Sequence, residues 1–478
     1  MKQGHVAMLA LVLGALSCKG GLIEAIPEDC KGPDFAGAPL GIRCGALVDS
    51  DGRQVWLHGV NARVEGIFDV TFDDGRKPLE PLPGFTKADA EGIRSLGFNA
   101  IRLPINWSGL EPTETGGFVE SYLDKVAVVV GLARQAELYV LLDMHQDAYS
   151  KEIGEDGAPY WAISPPPPEK LGGPLTDLDA RRKSKPVADA FETFFGTSDE
   201  GRRLRARFAK AAARVAARFA DEPLVIGLEL FNEPVTSDAR LVDFHAEVIP
   251  AVRAAAPKKL IFFEPSAVRN ILDKAPLATG SLGPGTVYAP HIYTFAFTGT
   301  EASNASITKE SLRPSNEAAR AEADAWEAPL VIGEYGFSPR SARWDDYITW
   351  QQDLQNEVRA HSFLWLWKED SQGSWGVFDR TSEGWKERET VVRSLTRLRL
   401  QKVAGKLTKM NYDRPTQRLT FSFEGREGGS AANVVSVGRL SGEVESRCNG
   451  RSIAAVGSGP LIITCGGKGT HEVSVGVK

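Results

Sequence analysis

The chain contains 478 residues, more than one ordinary domain needs, so we expect two or three domains. Hydrophobic residues make up 42% and charged residues 25% of it, which is typical of a globular protein and not of a disordered or membrane protein. The net charge of −6, without a dense run of lysine and arginine, gives no reason to expect nucleic acid as a partner.

The N-terminus has the pattern of a secretory signal. Lys2 precedes an apolar run over residues 6–16, and Ser17 and Cys18 follow it. The run is too short to span a bilayer but matches the apolar core of a signal peptide. The small residues before Cys18 resemble a bacterial lipobox, although Ala15 stands where leucine is commonest. We predict a signal peptide over residues 1–18 and a secreted or cell-surface protein. Three alternatives are open for this segment. Cys18 is lipidated and gives peripheral membrane contact, the protein is secreted without a lipid, or the segment is a buried N-terminal helix.

Four further cysteines agree with export. Cys30, Cys44, Cys448 and Cys465 allow three pairings, of which Cys30–Cys44 and Cys448–Cys465 close short loops in the two terminal regions. Neither pair has CxxC spacing or a nearby histidine, so zinc is not expected. Two disulfides suit an oxidising compartment.

After an N-terminal extension over residues 19–44, residues 45–400 alternate short apolar runs with amphipathic helical stretches such as Leu204–Ala220. This alternation is typical of βα units, and eight of them predict an α/β fold of the (β/α)8 TIM-barrel type. The predicted strands are Val55–Val60, Ala100–Leu103, Tyr139–Met144, Val225–Phe231, Lys259–Glu264, Val287–His291, Pro329–Glu334 and Ser362–Trp367.

Residues 401–478 have a different pattern, in which apolar residues alternate in period two between Gly, Ser and Asn turns. This predicts a small C-terminal β-sandwich. A packing role is favoured over carbohydrate binding, because the segment has no tryptophan and only one tyrosine, Tyr412. The predicted strands are Leu419–Phe423, Asn433–Val437, Ile453–Val456, Leu461–Thr464 and His471–Val477.

Two glutamates end predicted barrel strands four and seven. Glu233 lies in Asn232-Glu233-Pro234 and Glu334 in Gly333-Glu334-Tyr335. The C-terminal strand ends form the active-site rim of such barrels. Glycoside hydrolysis needs two carboxyl groups there, about 5 Å apart in retaining enzymes. A helix-start residue and a surface carboxylate are the alternatives, but the joint pattern favours catalysis.

Other polar and aromatic residues end neighbouring strands. Arg102 is a charge in an apolar strand, and the carboxylate of the nucleophile would pair with it, although another salt bridge is the alternative. Asn232 can bind a sugar 2-hydroxyl. His291 and Tyr293 can position the glutamates, and Trp367 can lie under a sugar ring, with buried core positions as the alternatives.

His145 and Asp147 follow strand three. A metal site is disfavoured because one histidine and no cysteine cluster are present, so we assign both residues to sugar hydroxyls. The long Pro-rich stretch over residues 153–189 follows on the same side of the barrel, and loops of this length are often lids or binding walls.

Taken together, the glutamates and the other strand-end residues described above resemble those of glycoside hydrolase family 5, whose members are retaining β-glycosidases. The general resemblance covers residues 45–400, and Asn-Glu-Pro is shared by the whole clan. More specific stretches resemble its endoglycoceramidase branch. They are Asp143-Met144-His145-Gln146-Asp147, Gly157-Ala158-Pro159-Tyr160-Trp161-Ala162, Ala190-Phe191-Glu192-Thr193-Phe194-Phe195 and Leu260-Ile261-Phe262-Phe263-Glu264-Pro265.

The resemblance implies hydrolysis of the bond between an oligosaccharide and ceramide, with release of the intact glycan by double displacement. It implies Glu233 as acid/base and Glu334 as nucleophile, no metal or organic cofactor, and a glycosphingolipid as substrate. We also expect a monomer, although the sequence does not fix the oligomeric state. The implied sugar-site residues are Asn232, His145, Asp147, His291, Tyr293 and Trp367.

Two departures leave the substrate open. Arg63, in Ala62-Arg63-Val64, lies where the family carries a lysine, and the charged run Lys368-Glu369-Asp370 follows Trp367, so we add Lys368 to the sugar site. A galactosyl-ceramide-preferring, glucosylceramide or steryl-glucoside hydrolase is an alternative. So is a polysaccharide-cleaving β-glucanase or mannanase. A glycolipid-binding protein with an inactive barrel is a further alternative. It would have lost a catalytic carboxylate, and neither carboxylate is lost.

A lipid aglycone needs an apolar wall. The candidates for it are Tyr160, Trp161, Ile163, Phe295 and Phe297.

Overall fold

The structure is a computed structural model that describes residues 32–278, 280–297, 299–370, 375–457 and 459–478. The predicted signal peptide, Cys18 and Cys30, with its proposed disulfide to Cys44, lie outside the described residues. Within the described residues, no helix is both long and apolar enough to cross a membrane. Three short strands come first: β1 (Gly41–Arg43), β2 (Ala46–Val48) and β3 (Gln54–Val55).

A closed barrel of parallel strands follows. The eight strands pair in chain order from β4 to β9, and β11 lies between β10 and β4. Parallel bridges join Tyr288 to Leu330 and Ile292 to Tyr335, which closes the sheet between β9 and β10. The predicted TIM barrel is confirmed. Its strands are β4 (His58–Asn61), β5 (Ala100–Asn106), β6 (Tyr139–His145), β7 (Val225–Glu229), β8 (Leu260–Phe263), β9 (Thr286–Tyr288), β10 (Val331–Tyr335) and β11 (His361–Leu364).

The longer helices bury one face each. In α6 the side chains of Leu204, Phe208, Ala212 and Val215 recur at helical spacing and are buried. The helices are α1 (Lys87–Ser95), α2 (Trp107–Leu110), α3 (Glu120–Gln135), α4 (Leu178–Arg182), α5 (Lys185–Phe195), α6 (Asp199–Arg218), α7 (Asp238–Ala255), α8 (Arg269–Leu272), α9 (Glu301–Ala305), α10 (Lys309–Ala325), α11 (Trp344–Glu357) and α12 (Glu389–Leu395).

An aromatic cluster fixes the end of β7 against these helices. The ring of Phe231 lies 5.5 Å from that of Phe194, 5.4 Å from Phe208 and 5.7 Å from Phe244, between ring centres. Such contacts add about 0.5–1.5 kcal/mol each to the burial of the rings. Because Asn232 follows Phe231 directly, this packing holds the segment that carries Glu233.

The C-terminal region is the predicted β-sandwich. A hairpin, β12 (Phe378–Thr381) and β13 (Gly384–Glu387), precedes it. One sheet has the order β15-β16-β22-β18-β19, and the other has the order β1-β2-β3-β14-β17-β21-β20. The strands are β14 (Arg399–Val403), β15 (Gly405–Asp413), β16 (Arg418–Gly425), β17 (Ala432–Ser436), β18 (Val444–Cys448), β19 (Arg451–Ile453), β20 (Ala455–Val456), β21 (Leu461–Thr464) and β22 (Gly469–Val477).

The sandwich recruits strands from both ends of the barrel sequence. Val55 pairs with Lys402 of β14, so the apolar run predicted as one barrel strand, Val55–Val60, divides between two sheets. The predicted strand Ile453–Val456 divides in the same way. The predicted Cys448–Cys465 disulfide is present, with its Cα atoms 5.8 Å apart.

Gly59 in β4 offers a test of barrel packing. A Cβ atom at this position would lie 2.2 Å from Cδ1 of the buried Phe363 ring. We therefore expect Gly59→Ala to lower the free energy of unfolding by about 1–3 kcal/mol. Gly131→Ala in α3, where no atom lies within 4 Å, is the matched control and should raise it by up to about 1 kcal/mol. Urea unfolding followed by circular dichroism measures both, and equal effects would contradict this account of the barrel.

Candidate active site

The two predicted catalytic glutamates meet at the C-terminal rim of the barrel. Glu334 lies in β10, and Glu233 lies four residues beyond the end of β7. A carboxylate oxygen of each and a ring nitrogen of His291 lie within 4.8 Å of one another. Oxygens this close are compatible with the roughly 5 Å between the carboxyl groups of retaining glycosidases.

Glu334 is almost fully buried and held by hydrogen-bond donors on both oxygens. Arg102 Nη1 donates to Oε1 at 2.7 Å, and the hydroxyl of Tyr293 donates to Oε2 at 2.7 Å. The pairing that the sequence suggested between Arg102 and this carboxylate is therefore present. Burial and the charge of Glu334 raise the pKa of Tyr293 well above its usual value, so its hydroxyl stays a donor at neutral pH.

The backbone of Glu233 has an unusual conformation. Its φ is +43°, in the left-handed region that non-glycine residues rarely occupy, at a cost of about 1–3 kcal/mol. Gln146 Nε2 donates to the carbonyl oxygens of Asn232 and Glu233, at 2.7 and 3.0 Å. The Glu233 N–H donates to Glu264 Oε2 at 3.1 Å. These contacts hold the turn that directs the carboxylate of Glu233 towards Glu334.

The side chain of Glu233 shares a proton with a histidine. His291 Nδ1 lies 2.8 Å from Oε1, and Asn270 Nδ2 donates to the same oxygen at 2.6 Å. Burial raises the pKa of Glu233, but the hydrogen bond from His291 and the charges of His291 and Arg182 outweigh it and lower this pKa to about 2. Burial lowers the pKa of His291, but Glu334 and Glu233 raise it overall. In the free site, the proton is therefore on the His291 side of this pair.

His145 and Asp147 both line the cavity. His145 Nδ1 lies 2.6 Å from Asp143 Oδ2, and its ring stacks on Trp365 with 5.9 Å between ring centres. Burial and the charge of Arg102 lower the pKa of His145 to about 3, so the ring is neutral at neutral pH. Asp147 forms an ion pair with Arg182 of α4, where Arg182 Nε donates to Oδ1 at 2.9 Å. This ion pair joins the Pro-rich segment to the site.

The glutamates face a cavity of about 330 Å³ whose lining contains two kinds of side chain. One is a charged set in which Arg63 Nη1 pairs with Glu155 at 3.1 Å and Nη2 with Glu369 at 2.8 Å. The other is an aromatic set in which the Phe297 ring stacks on Trp375 at 5.5 Å and contacts Tyr293 at 4.7 Å between ring centres. The cavity can therefore contact both polar and apolar groups of a substrate.

Two predicted sugar-site residues lie elsewhere. Trp367 is buried, and its Nε1 donates to Asp89 Oδ1 at 2.9 Å, so its assignment to a sugar ring was wrong. Lys368 was also wrong, because it pairs with the same Asp89 and faces the ring of Phe378. Trp365 and Glu369 line the cavity in their place. The chain leaves β11 at Leu364, and beyond a strand end the alternation of faces no longer holds.

Of the five predicted apolar-wall residues, only Phe297 lines the cavity. Trp161 packs on Trp107 and donates to the carbonyl of Glu111, and Ile163 is buried in the core. Tyr160 lies in a separate groove, and Phe295 packs against the core.

Arg102 and His291 lie directly behind the cavity rather than in its lining. Arg102 also contacts acidic residues that the sequence reading left unassigned. Its Nε donates to Glu229 Oε2 at 2.7 Å, and its Nη2 lies 3.0 Å from Asp143 and 3.5 Å from Glu264. Each of these acidic residues is a charge in or beside an apolar strand. The same pattern pointed to Arg102 in the sequence and could have pointed to them.

Among the described residues, three sets of donor atoms are close enough for a metal ion: Glu233–His291–Glu334, Glu229–Glu264–His291 and Cys448–Cys465–His471. In the third set a histidine does lie near the cysteines, contrary to the sequence-based expectation, but the two sulfur atoms form the disulfide. Arg102 already places a positive charge against Glu229, Glu264 and Glu334. The expectation of no metal remains a prediction.

The family model for cellulase (glycosyl hydrolase family 5) matches residues 79–371. The chain is therefore a glycoside hydrolase of the (β/α)8 class and belongs to glycosyl hydrolase family 5.

Among curated relatives, it is 31% identical to an endoglycoceramidase of Cyanea nozakii, over 40% of this chain and 41% of that protein. It is 30% identical to endoglycoceramidase I of Rhodococcus hoagii, over 52% of this chain and 51% of that protein. The alignments thus span about half or less of these relatives. A solved structure, the lactosyl-enzyme intermediate of endo-glycoceramidase II from Rhodococcus sp., is 25% identical with a TM-score of 0.72, covering 91% of this chain and 100% of that one.

The hydroxyl of Tyr293 gives a direct test of this geometry. We expect Tyr293→Phe to lower kcat about 10- to 100-fold on any β-glycoside that the protein hydrolyses, because the nucleophile loses an orienting donor. Tyr149→Phe, which removes a buried hydroxyl bonded to the carbonyl of Ala162, should cost about 1 kcal/mol of stability and leave kcat intact. Steady-state kinetics and thermal unfolding of both variants decide the matter. A kcat for Tyr293→Phe within twofold of the parent value would contradict the contact's role.

Proposed function

We propose that the protein is a retaining endo-β-glycosidase that hydrolyses the linkage between the glycan and the ceramide of glycosphingolipids and releases the glycan intact. The observation that carries this proposal is the site itself, in which two glutamates at retaining distance face a cavity lined by both ion-paired and aromatic side chains. A glycosphingolipid has the same two-part character. The endoglycoceramidase relatives support the same substrate class.

In the first step, a carboxylate oxygen of Glu334 attacks the anomeric carbon while the bond to the lipid oxygen breaks. Arg102 and Tyr293 hold the attacking carboxylate in place. Glu233 gives the leaving oxygen a proton, and His291 at 2.8 Å is the group that supplies it. The products are ceramide and a glycosyl ester of Glu334.

In the second step, Glu233 accepts a proton from water as the water oxygen attacks the anomeric carbon. The ester bond breaks, and the glycan leaves with its original anomeric configuration. Asn232 is fixed for contact with the sugar, because its Oδ1 accepts from Arg102 at 2.8 Å and its Nδ2 donates to the carbonyl of Gln146 at 3.0 Å.

The surface beside the cavity suits a lipid aglycone. Exposed large apolar side chains recur in the stretches that follow β7, β8 and β9 in the sequence, and one of them, Phe297, lines the cavity. Large apolar side chains that are exposed near a substrate cavity are candidates for contact with a lipid. These residues are Val235, Val268, Ile271, Leu272, Leu277 and Phe297.

The charged set is the part of the site that we assign to the glycan. Arg63 is buried, and Phe68 and Trp365 lie beneath its guanidinium at 5.0 and 5.7 Å from the ring centres. Its orientation is thus fixed by ion pairs and rings together, which suits selection between sugar epimers. A galactosyl-linked ceramide as preferred substrate is the second candidate, because Arg63 and Glu369 lie at the two positions where the sequence departs from the family pattern.

A panel of glycolipids tests the reaction. We expect lactosylceramide, a ganglioside or a galactosylceramide to release an intact glycan, detected by mass spectrometry of the water-soluble product. Glu334→Gln should reduce release to background, and Glu192→Gln, at an exposed carboxylate paired with Arg240, should not change it. Hydrolysis of soluble β-glucan or mannan without release from any glycolipid would favour the polysaccharide-cleaving alternative and overturn the proposal.

Azide distinguishes the two carboxylates. With an activated aryl glycoside, Glu233→Ala should regain turnover in azide and yield the β-glycosyl azide, because the anion attacks the intermediate on Glu334. Glu334→Ala should instead yield the α-glycosyl azide, because azide then replaces the nucleophile. Proton NMR of the products identifies the anomer, and the opposite outcome would exchange the two roles.

We also propose export with lipidation at Cys18, on the basis of the apolar run and the small residues before this cysteine. Metabolic labelling with a radioactive fatty acid during expression in a bacterium should label the parent chain and not Cys18→Ser. A matched Cys44→Ser variant should keep the label. If Cys18→Ser is exported and labelled like the parent, lipidation at Cys18 is excluded.

A further inference from the structure

A second group of acidic side chains lies behind the two catalytic glutamates. Glu229 ends β7, and Glu264 follows β8 directly. Both are buried, and neither lines the cavity. A carboxylate oxygen of each and a ring nitrogen of His291 lie within 4.8 Å of one another. These residues touch the acid/base machinery without touching the substrate.

The charges in this region require a proton. Arg102 faces four carboxyl groups, those of Asp143, Glu229, Glu264 and Glu334, at 2.7–3.5 Å. One guanidinium cannot compensate four buried negative charges, so some of these groups must be neutral. Burial and the charge of Glu229 raise the pKa of Glu264 well above its usual value, and burial does the same for Asp143. Burial raises the pKa of Glu229, but Arg102 outweighs it and lowers this pKa.

Two oxygens show where the proton on Glu264 is needed. Oε1 of Glu229 and Oε1 of Glu264 are buried and accept no hydrogen bond from any other group among the described residues. Buried polar atoms are nearly always paired. A proton on Glu264, shared with Glu229, satisfies this requirement and leaves a single negative charge on the pair.

Glu264 also forms a closed ring of contacts with the acid/base. Its Oε2 accepts the N–H of Glu233 at 3.1 Å, and its Oε1 lies 3.4 Å from Nε2 of His291. The other ring nitrogen of His291 lies 2.8 Å from the side chain of Glu233. Glu264 therefore contacts both the strained backbone of Glu233 and the imidazole that holds its proton.

We propose that Glu264 is a positioning residue for the acid/base, acting as a neutral carboxyl group that shares its proton with Glu229 and holds the backbone of Glu233 and the ring of His291. This proposal rests on the proposed function, because it concerns the proton given to the glycosidic oxygen. Loss of Glu264 misplaces the proton donor and leaves the attack by Glu334 less affected.

Two variants of the same size separate hydrogen bonding from packing. Glu264→Gln keeps an acceptor and a donor, whereas Glu264→Met keeps the volume and loses both. Glu111→Met is the matched control, because Glu111 is equally buried and pairs with Arg207 and Trp107 away from the cavity. The parent chain and each variant are assayed on a phenyl and a dinitrophenyl β-glycoside of the preferred glycan.

A phenyl leaving group needs protonation and a dinitrophenyl group does not. We expect Glu264→Met to lower kcat/KM about 100-fold on the phenyl glycoside and less than about threefold on the dinitrophenyl glycoside. Glu264→Gln should recover most of this loss, and Glu111→Met should not change the ratio between the two substrates. Equal losses on both glycosides, or no recovery with glutamine, would overturn the proposal.

A measurement without substrate separates this proposal from the proposed function. The chain has seven histidines, and ¹⁵N-histidine labelling with His291→Gln as reference assigns the hydrogen-bonded Nδ1–H resonance of His291. We expect this resonance in the parent and in Glu264→Gln and its loss in Glu264→Met. If Glu264→Met does not fold, Glu264→Asp replaces it, because the shorter side chain cannot reach both partners. If the resonance persists, the positioning role fails, even where glycolipids are cleaved. If no glycoside is cleaved, the proposed function fails and this measurement still decides the role.

Discussion

The site is organised around the buried guanidinium of Arg102. One arginine on β5 reaches side chains on β4, β6, β7 and β10 and beyond β8, so it links most of the barrel strands at one level. The charge is fully removed from water, and this is tolerable only because acidic partners surround it. The same cation fixes Glu334 and accounts for the acidic residues clustered behind it. The position of the nucleophile and the protonation states of the acidic residues behind it therefore depend on the same positive charge.

The acid/base depends on a local departure from favourable backbone geometry. At Glu233 the chain turns through a left-handed conformation, and the side chains of Gln146 and Glu264, which directly follow β6 and β8, hold that turn. Strain of this kind persists only where the surrounding structure enforces it. Here the enforcement comes from residues that precede and follow Glu233 in sequence by tens of positions. The barrel brings them together because all of its strands end at the same rim.

The side chains that we propose for substrate selection lie in loops rather than in strands. Arg63 follows β4, Arg182 lies in the Pro-rich segment after β6, and Trp375 follows β11. In barrel enzymes, the strand ends carry the chemistry and the loops adapt it to particular substrates. The ion pairs of Arg63 with Glu80, Glu155 and Glu369 join such loops, in the part of the site that we propose for the glycan.

The sequence alone determined the barrel, the sandwich, the pair of glutamates and the arginine beside them. It did so because strand periodicity is local, and because a charge or a carboxyl group at the end of an apolar run has few explanations. Only the tertiary structure decided that Trp365 rather than Trp367, and Glu369 rather than Lys368, lines the cavity, because side-chain direction is not periodic once a strand ends. It also decided that Val55 joins the sandwich, since pairing partners are chosen by long-range packing. It also brought Asp143, Glu229 and Glu264 together around Arg102, because the partners of a buried carboxyl group lie on other strands.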